Sequence, residues 1–196
     1  MFKYIFILGI ITMLFACNWM KPHRSLADSL HMADSAIKPI TADRQIIAGK
    51  KVGPIYINED ADSAIARLGK PDSGDAAMGA SMMMWIVKHN KHTGKLIIYA
   101  HRNIGGADEA INRIKQIRIT LPWYKTTDYA GPGSELKDIQ KIYKLKDYAS
   151  PINAKKLWLY QDYPAGIGFE VDSTGKCLAV RVYAPQDSSG TYLTVQ

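Results

Sequence analysis

The residues with the clearest metal-binding spacing in this chain are three histidines, His89, His92 and His101. They fall at the end of one predicted strand, in the hairpin loop that follows it, and at the end of the next strand. Such a hairpin could bring two or three imidazole rings together, as a zinc or copper site requires. Because no cysteine or acidic residue stands at a matching position in the hairpin, we interpret them as solvated loop histidines and predict no metal.

The common catalytic motifs are missing from the sequence. It contains no Gly-x-Ser-x-Gly, His-Glu-x-x-His or Gly-x-x-x-x-Gly-Lys-Ser/Thr pattern. Ser81 lacks the flanking glycines of a nucleophile elbow, and Asp72 and Asp75 fit a solvent-facing turn better than a cation site. We therefore predict no cofactor and no enzymatic activity, and an enzyme of unknown class ranks third among the functions considered.

Cys17 closes the stretch LFAC, and Cys177 is the only other cysteine. Cys17 could form a disulfide with Cys177, be a buried apolar residue or carry a lipid. It follows Met-Phe-Lys and an uncharged run from Tyr4 to Ala16, an arrangement typical of a secretory signal. A run of this length rises about 20 Å as a helix, short of the roughly 30 Å of membrane hydrocarbon. An uncleaved anchor, with the span extended to Met20, is the alternative.

The stretch LFAC resembles the lipobox of bacterial lipoproteins. The resemblance implies that the Cys17 thiol receives a diacylglycerol group, that residues 1–16 are removed, and that the new amine is acylated, for instance with palmitate. Cys17 then cannot pair with Cys177, a semi-buried structural thiol in this interpretation. In similar Gram-negative lipoproteins an Asp after the cysteine favours the inner membrane, so Asn18 predicts an outer-membrane lipoprotein facing the periplasm. An ordinary secretory signal with a chance cysteine is the alternative.

The charge of the chain is moderately basic. Removal of residues 1–16 takes away Lys3 and lowers the formal net charge from +7 to +6. This excess suits anionic lipid head groups or acidic envelope polymers, although a mixed soluble surface accounts for it too. Since no dense Lys/Arg cluster occurs, nucleic acid is not an expected partner.

We predict three segments: a signal peptide at 1–16, the lipidated Cys17 and a tether at 17–44, and one domain at 45–196. Within the domain, IRITLP (117–122) and VRVYAP (180–185) match at apolar, Arg, apolar and terminal Pro positions. They predict a diverged internal repeat, about 48–122 and 123–185. In each unit a short helix, with Ile65 on the first and Ile139 on the second, precedes the predicted strands.

The predicted strands are short, and hairpin-type turn residues link them. They lie at 82–89, 95–101, 114–121, 155–161, 166–172 and 177–184. The predicted fold class is therefore α+β, built from two diverged units of a short helix followed by a three-stranded antiparallel meander, with the helices packed on one face of the sheet.

The segments VGPIYINEDADSAIARLGKPD and TTDYAGPGSELKDIQKIY resemble the β-lactamase-inhibitor-protein-like fold. The SmpA/OmlA lipoproteins of the outer-membrane β-barrel assembly machinery share the same kind of unit. This resemblance implies binding of other proteins through a sheet face, without chemistry of its own.

The alternation of residues along the strands divides them into two sets. One set is aliphatic and fits a core beneath the helices; it includes Met84, Ile86, Ile117 and Val182. The other is rich in Trp, Tyr and Arg, the residues enriched where protein partners bind, although such residues also suit a solvated sheet. The predicted partner-binding residues are Trp85, Tyr99, Arg118, Trp123, Trp158, Tyr160, Arg181 and Tyr183.

The function predicted from the sequence is that of an envelope-anchored lipoprotein acting as a non-catalytic protein-binding module. Its expected partners are the membrane, through the lipid anchor, and an envelope protein. The alternative is a glycan- or peptidoglycan-binding module, because Trp and Tyr also stack on sugars.

Overall fold

The computed structural model describes residues 39–89, 92–152 and 157–187. The chain divides into two units, Met1–Pro39 and Ile40–Gln196, and every element below belongs to the second. The predicted signal peptide, Cys17 and the tether up to residue 38 lie outside the described residues. Within the described part of the chain, none of the helices is long and apolar enough to cross a membrane.

Twelve strands and two short helices make up the described part of the second unit. In chain order they are β1 Gln45–Ile47, β2 Lys51–Val52, β3 Ile55–Tyr56, α1 Ala61–Leu68, β4 Ser73–Ala77, β5 Ala80–His89, β6 His92–Arg102, β7 Asn112–Ile119, β8 Lys125–Thr126, α2 Leu136–Ile139, β9 Lys146–Ile152, β10 Leu157–Asp162, β11 Ile167–Val171 and β12 Cys177–Tyr183.

The main body is an eight-stranded sheet with the order β4-β5-β6-β7-β12-β11-β10-β9. All its neighbouring strands are antiparallel, and β7 and β12 join at the centre. Two four-stranded meanders, β4 to β7 and β9 to β12, therefore meet through their last strands. This order leaves β4 and β9 as the two edge strands.

A second, smaller sheet has the order β3-β2-β1-β8, in which β1 and β8 run parallel. Its apolar residues and those of the helices pack on one face of the large sheet, which we call the core face. The resulting core is aliphatic, with Ile46 and Ile55 from the small sheet and Ile98, Ile117 and Val180 from the large one.

Both helices are short, and only α1 has a side-chain cap. Helix α1 begins at Asp60, whose carboxylate accepts a hydrogen bond from the Asp62 amide, and ends at Gly69 with φ of 81°. Helix α2 is only four residues long and has no side-chain cap. Ser134, two residues before α2, accepts a hydrogen bond from the Gly131 amide. Helices this short depend on tertiary packing, and Ile139 is fully buried, whereas Ile65 is only partly buried.

The predicted α+β fold class is wrong, because the structure is mostly β. The six predicted strands correspond to β5–β7 and β10–β12, but each run contains a fourth strand, and a second sheet is present. The sequence pattern missed β4 and β9 because edge strands need no apolar alternation: β4 is exposed and reads SGDAA, and β9 contains Pro151. The strands of the small sheet are only two or three residues long, too short to show a period.

Candidate protein-binding surface of the eight-stranded sheet

On the face of the large sheet opposite the core, the exposure of the side chains differs between the central strands and β5. Directly paired residues of neighbouring strands share a face, so Met84, Ile97, Arg118 and Arg181 form one row across β5, β6, β7 and β12. Ile97 and the two arginines are buried, whereas β5 carries exposed side chains. We call this face the opposite face.

A buried ion cluster occupies the centre of the opposite face. Arg118 donates two hydrogen bonds to the Glu170 carboxylate, from Nε at 2.7 Å and from Nη2 at 2.6 Å. Arg181 Nε donates a third, at 2.5 Å. Burial raises the pKa of Glu170, but the hydrogen bonds and charges of both arginines outweigh burial and hold the pKa below its ordinary value. The carboxylate therefore stays ionised and compensates the two guanidinium groups.

The eight predicted partner-binding residues do not lie on a common surface. Trp85 is paired with Leu96, Trp158 with Val171 and Tyr160 with Phe169, which places all three aromatic residues on the core face. The Trp85 indole donates a hydrogen bond to the Gly69 carbonyl at 3.0 Å.

The remaining predicted residues are divided between the opposite face and a loop. Trp123, after β7, packs partly buried against the core. Tyr99, Arg118, Arg181 and Tyr183 lie on the opposite face. Of these four, Tyr183 is fully buried and its hydroxyl donates to the Ile167 carbonyl at 3.2 Å. Arg118, Arg181 and Tyr183 are therefore not exposed to a binding partner.

The sequence analysis assigned the two faces of β5 and β10 in reverse. In both strands the residues on either face are apolar, so alternation does not distinguish the faces. The stretch MMMWIV in β5 and LWLY in β10 offer no polar residue to mark a solvent side. A register shift between Leu157 and Leu159 also disturbs the alternation in β10. In β7 and β12, where Arg interrupts the aliphatic pattern, the predicted core residues do lie on the core face.

The exposed apolar residues of the opposite face lie on β5. Met82 is 38% exposed and Ile86 is 41% exposed, and Met84 between them is half-buried. Tyr99 on β6 is directly paired with Met82. We call these four residues the Met82 surface. Large apolar side chains grouped on a sheet face are typical of a protein contact, and methionine adapts to varied partners because its side chain is flexible.

The edge strand β4 lies directly beside the Met82 surface. Its five residues are all exposed, and Asp75 is paired with Met82. In the described part of the chain only β5 pairs with β4, so the other side of β4 presents backbone N–H and C=O groups. An edge of this kind can accept an additional strand from another protein.

Sequence reasoning missed this surface because it assigned Met84 and Ile86 to the core. The signal was the run of three methionines at 82–84 next to Trp85. Since Trp is far larger and is highly buried on average, the parity of Trp85 favours its side of β5 as the core side, and the methionines at 82 and 84 then face away.

The three histidines lie at the two different ends of the β5–β6 pairing. His89 and His92 are directly paired at the β5–β6 turn, whereas His101 lies at the other end of β6. Nine residues of strand separate His92 from His101 by about 30 Å. In the region that the structure describes, no group of three His, Cys, Asp or Glu residues could hold a metal ion.

The other candidate reactive groups have structural contacts. Asp72 accepts a hydrogen bond from the Ile86 amide at 2.6 Å, and Asp75 accepts one from the Ala76 amide at 2.9 Å. Cys177 is fully buried, and its thiol donates to the Ala179 carbonyl at 3.4 Å. Burial raises the pKa of this thiol to about 12, so its reactive thiolate form is scarce at neutral pH.

No protein-family model matches the chain, and no curated protein matches it. Among solved structures, it is similar to an extracellular protein containing an SCP domain from Bacillus anthracis str. Ames, with a TM-score of 0.40, 12% identity and coverage of 66% of this chain and 44% of that one. It is also similar to a cysteine-rich secretory protein from Staphylococcus aureus Mu50, with a TM-score of 0.37, 14% identity and coverage of 76% and 51%.

The chain thus spans about half the length of each of these proteins. The first is described as an extracellular protein and the second as a secretory protein. The descriptions do not concern an outer membrane or a lipid anchor.

The resemblance to the β-lactamase-inhibitor-protein-like fold and to the SmpA/OmlA lipoproteins is wrong. No family model supports it, and the similar solved structures are an SCP-domain protein and a cysteine-rich secretory protein. The motifs that carried it were a capped helix, a following Gly-Lys-Pro and hairpin turns. Such motifs are local, and they arise wherever a short helix precedes a sheet.

Proposed function

We propose that this chain is an exported lipoprotein of the cell envelope, anchored through Cys17 to the outer membrane and facing the periplasm, whose domain binds another protein without catalysing a reaction. The signal-like segment and the LFAC stretch support the anchor. The Met82 surface beside the edge strand β4 supports the binding role.

The observation that carries the binding proposal is the exposure of Met82 and Ile86 on a strand adjoining a sheet edge. Exposed apolar side chains cost free energy in water and regain it when a partner covers them. The glycan alternative depended on exposed Trp and Tyr rings, and the burial of Trp85 and Tyr183 does not favour it.

The geometry suits a partner that adds a strand to β4. Backbone hydrogen bonds to the open side of β4 would hold the partner strand, and its alternate side chains would extend the opposite face. The Met82 surface lies one strand away from that position, so apolar side chains or a loop of the partner can cover it. Affinity then comes from the backbone pairing and specificity from the side chains on β5 and β6.

Replacement of Met82 and Ile86 together by Ser is expected to weaken partner capture at least about tenfold, or about 1.4 kcal/mol, and to leave the thermal unfolding temperature nearly unchanged. The measurement is affinity capture of the tagged full-length lipoprotein from detergent-solubilised envelopes, followed by mass spectrometry of the recovered proteins. The matched control is the double change of Ile142 and Leu178 to Ser, two residues of similar exposure, 39% and 41%, outside β5.

The control variant should recover the same protein as the parent. Undiminished capture by the Met82 and Ile86 variant would contradict the proposed site. An equal loss of captured protein in both double variants would show that nonspecific hydrophobic association, not binding at this surface, accounts for the recovery.

A further inference from the structure

A second feature, separate from the Met82 surface, is a groove of about 590 Å³ at the end of the sheet where β6 ends and β7 begins. Its lining includes the cationic side chains of Arg102, Arg113 and Lys115, together with Asn103 and Asp108. Three cations against one carboxylate give the groove a formal charge of +2, so it attracts anions.

The two arginines of the groove are held in place by the protein. Arg113 forms an ion pair with Asp108 at 3.3 Å and donates to the Asn58 carbonyl at 3.3 Å. Arg102 Nη1 donates to the Ala110 carbonyl at 3.0 Å. Lys115 forms no ion pair with the residues that the structure describes, so its ammonium group is available to a ligand. Pre-positioned guanidinium groups beside an available ammonium group suit phosphate recognition.

Two exposed apolar side chains stand beside this groove. Met78, in the β4–β5 turn, is 93% exposed, and Ile104, which lines the groove, is 61% exposed. The turn and the groove are in contact, because the Arg102 amide donates to the Gly79 carbonyl at 2.9 Å. A Cβ added at Gly79 would lie only 2.7 Å from Ile104 Cδ1. Cationic and apolar groups are therefore combined at one end of the sheet.

We propose that this end of the domain docks on an anionic phospholipid surface. The phosphates of the head groups enter the groove and contact Arg102, Arg113 and Lys115, while Met78 and Ile104 insert between the head groups. Basic residues near an anionic leaflet are attracted to it electrostatically, and buried apolar side chains add to the binding. The inference rests on the envelope location proposed above for access to a membrane, but it requires no protein partner.

A fluorescent probe at the tip of the β4–β5 turn tests this docking. The full-length lipoprotein with Met78→Cys is labelled with an environment-sensitive dye and reconstituted into vesicles of phosphatidylcholine alone or mixed with phosphatidylglycerol. Cys177 is buried with its pKa raised to about 12, so it does not compete for the label, and the unlabelled parent checks this. We expect brighter, blue-shifted emission on the phosphatidylglycerol vesicles only. In 1 M salt, where the screening length is about 3 Å, the shift should be lost.

Two charge reversals separate the groove from the general charge of the domain. Lys115→Glu should abolish the shift, whereas Lys176→Glu, in the β11–β12 turn at the other end of the sheet, should preserve it. Equal emission on both vesicle types, or equal loss in both variants, would overturn the proposal. The emission shift is also measured in inorganic phosphate and in chloride at the same ionic strength. Loss of the shift in phosphate but not in chloride would show that free phosphate is the ligand and would also overturn the proposal. The vesicles contain no protein partner, so these failures leave the capture experiment untouched.

Discussion

Glu170→Gln is expected to destabilise the domain by about 3–5 kcal/mol, because it leaves the buried guanidinium groups of Arg118 and Arg181 without their shared negative charge. Among the described residues, Arg181 Nη2 already has no hydrogen-bond partner, so loss of the carboxylate charge leaves this guanidinium group still less compensated. The measurement is chemical denaturation of the variant and the parent under the same conditions. The control is Glu135→Gln, which removes an exposed pair with Lys137 and should cost at most about 1 kcal/mol.

The same cluster predicts a dependence of stability on pH. The pKa of Glu170 is lower in the folded chain than its ordinary value, so the unfolded chain binds the proton more readily. The stabilisation is therefore fully present above the unfolded pKa of about 4.3 and is lost as the pH falls through the folded pKa. The Gln variant should lack this part of the acid transition. Identical acid transitions, or a Gln variant as stable as the parent, would show that the charge of Glu170 does not hold the cluster together.

Cys17→Ala is expected to abolish lipidation completely, because the thiol is the group that would form the thioether. Metabolic labelling with an alkyne fatty acid measures this directly, and processing by the lipoprotein signal peptidase should stop at the same time. Cys177→Ala is the matched control, since that thiol is buried within the folded domain, and its label should equal that of the parent. Undiminished label in the Cys17 variant would refute the lipoprotein proposal.

The core-facing residues of the central strands could be predicted where a polar residue marks the opposite face. Arg118 and Arg181 interrupt the aliphatic runs of β7 and β12, and the paired Ile117 and Val182 do belong to the core. The alternation fails in β5 and β10, because apolar residues occupy both parities. The edge strands β4 and β9 were not predictable from alternation either, since an edge strand is stabilised by pairing on one side and need not bury its side chains.

The candidate binding surface was not predicted from the sequence, because the burial of a charged residue depends on partners that are distant along the chain. The sequence analysis predicted Arg118 and Arg181 as exposed partner-binding residues. In the structure, the carboxylate of Glu170, 52 residues from Arg118, compensates their positive charges inside the protein. Met84 and the exposed Ile86 were assigned to the core because they are apolar. The pairing of Trp85 with Leu96 places Trp85 on the core side of β5 and Met82 and Ile86 on the other side.

Photocrosslinking at Ile86 is the measurement that tests the protein-binding claim most directly. A photoreactive phenylalanine analogue is introduced at Ile86 or, as a control of equal exposure, at Leu178, both 41% exposed, and intact cells are irradiated. We expect a discrete adduct with one envelope protein at position 86 and none at position 178. An absence of any adduct at position 86, or the same adducts at both positions, would contradict it.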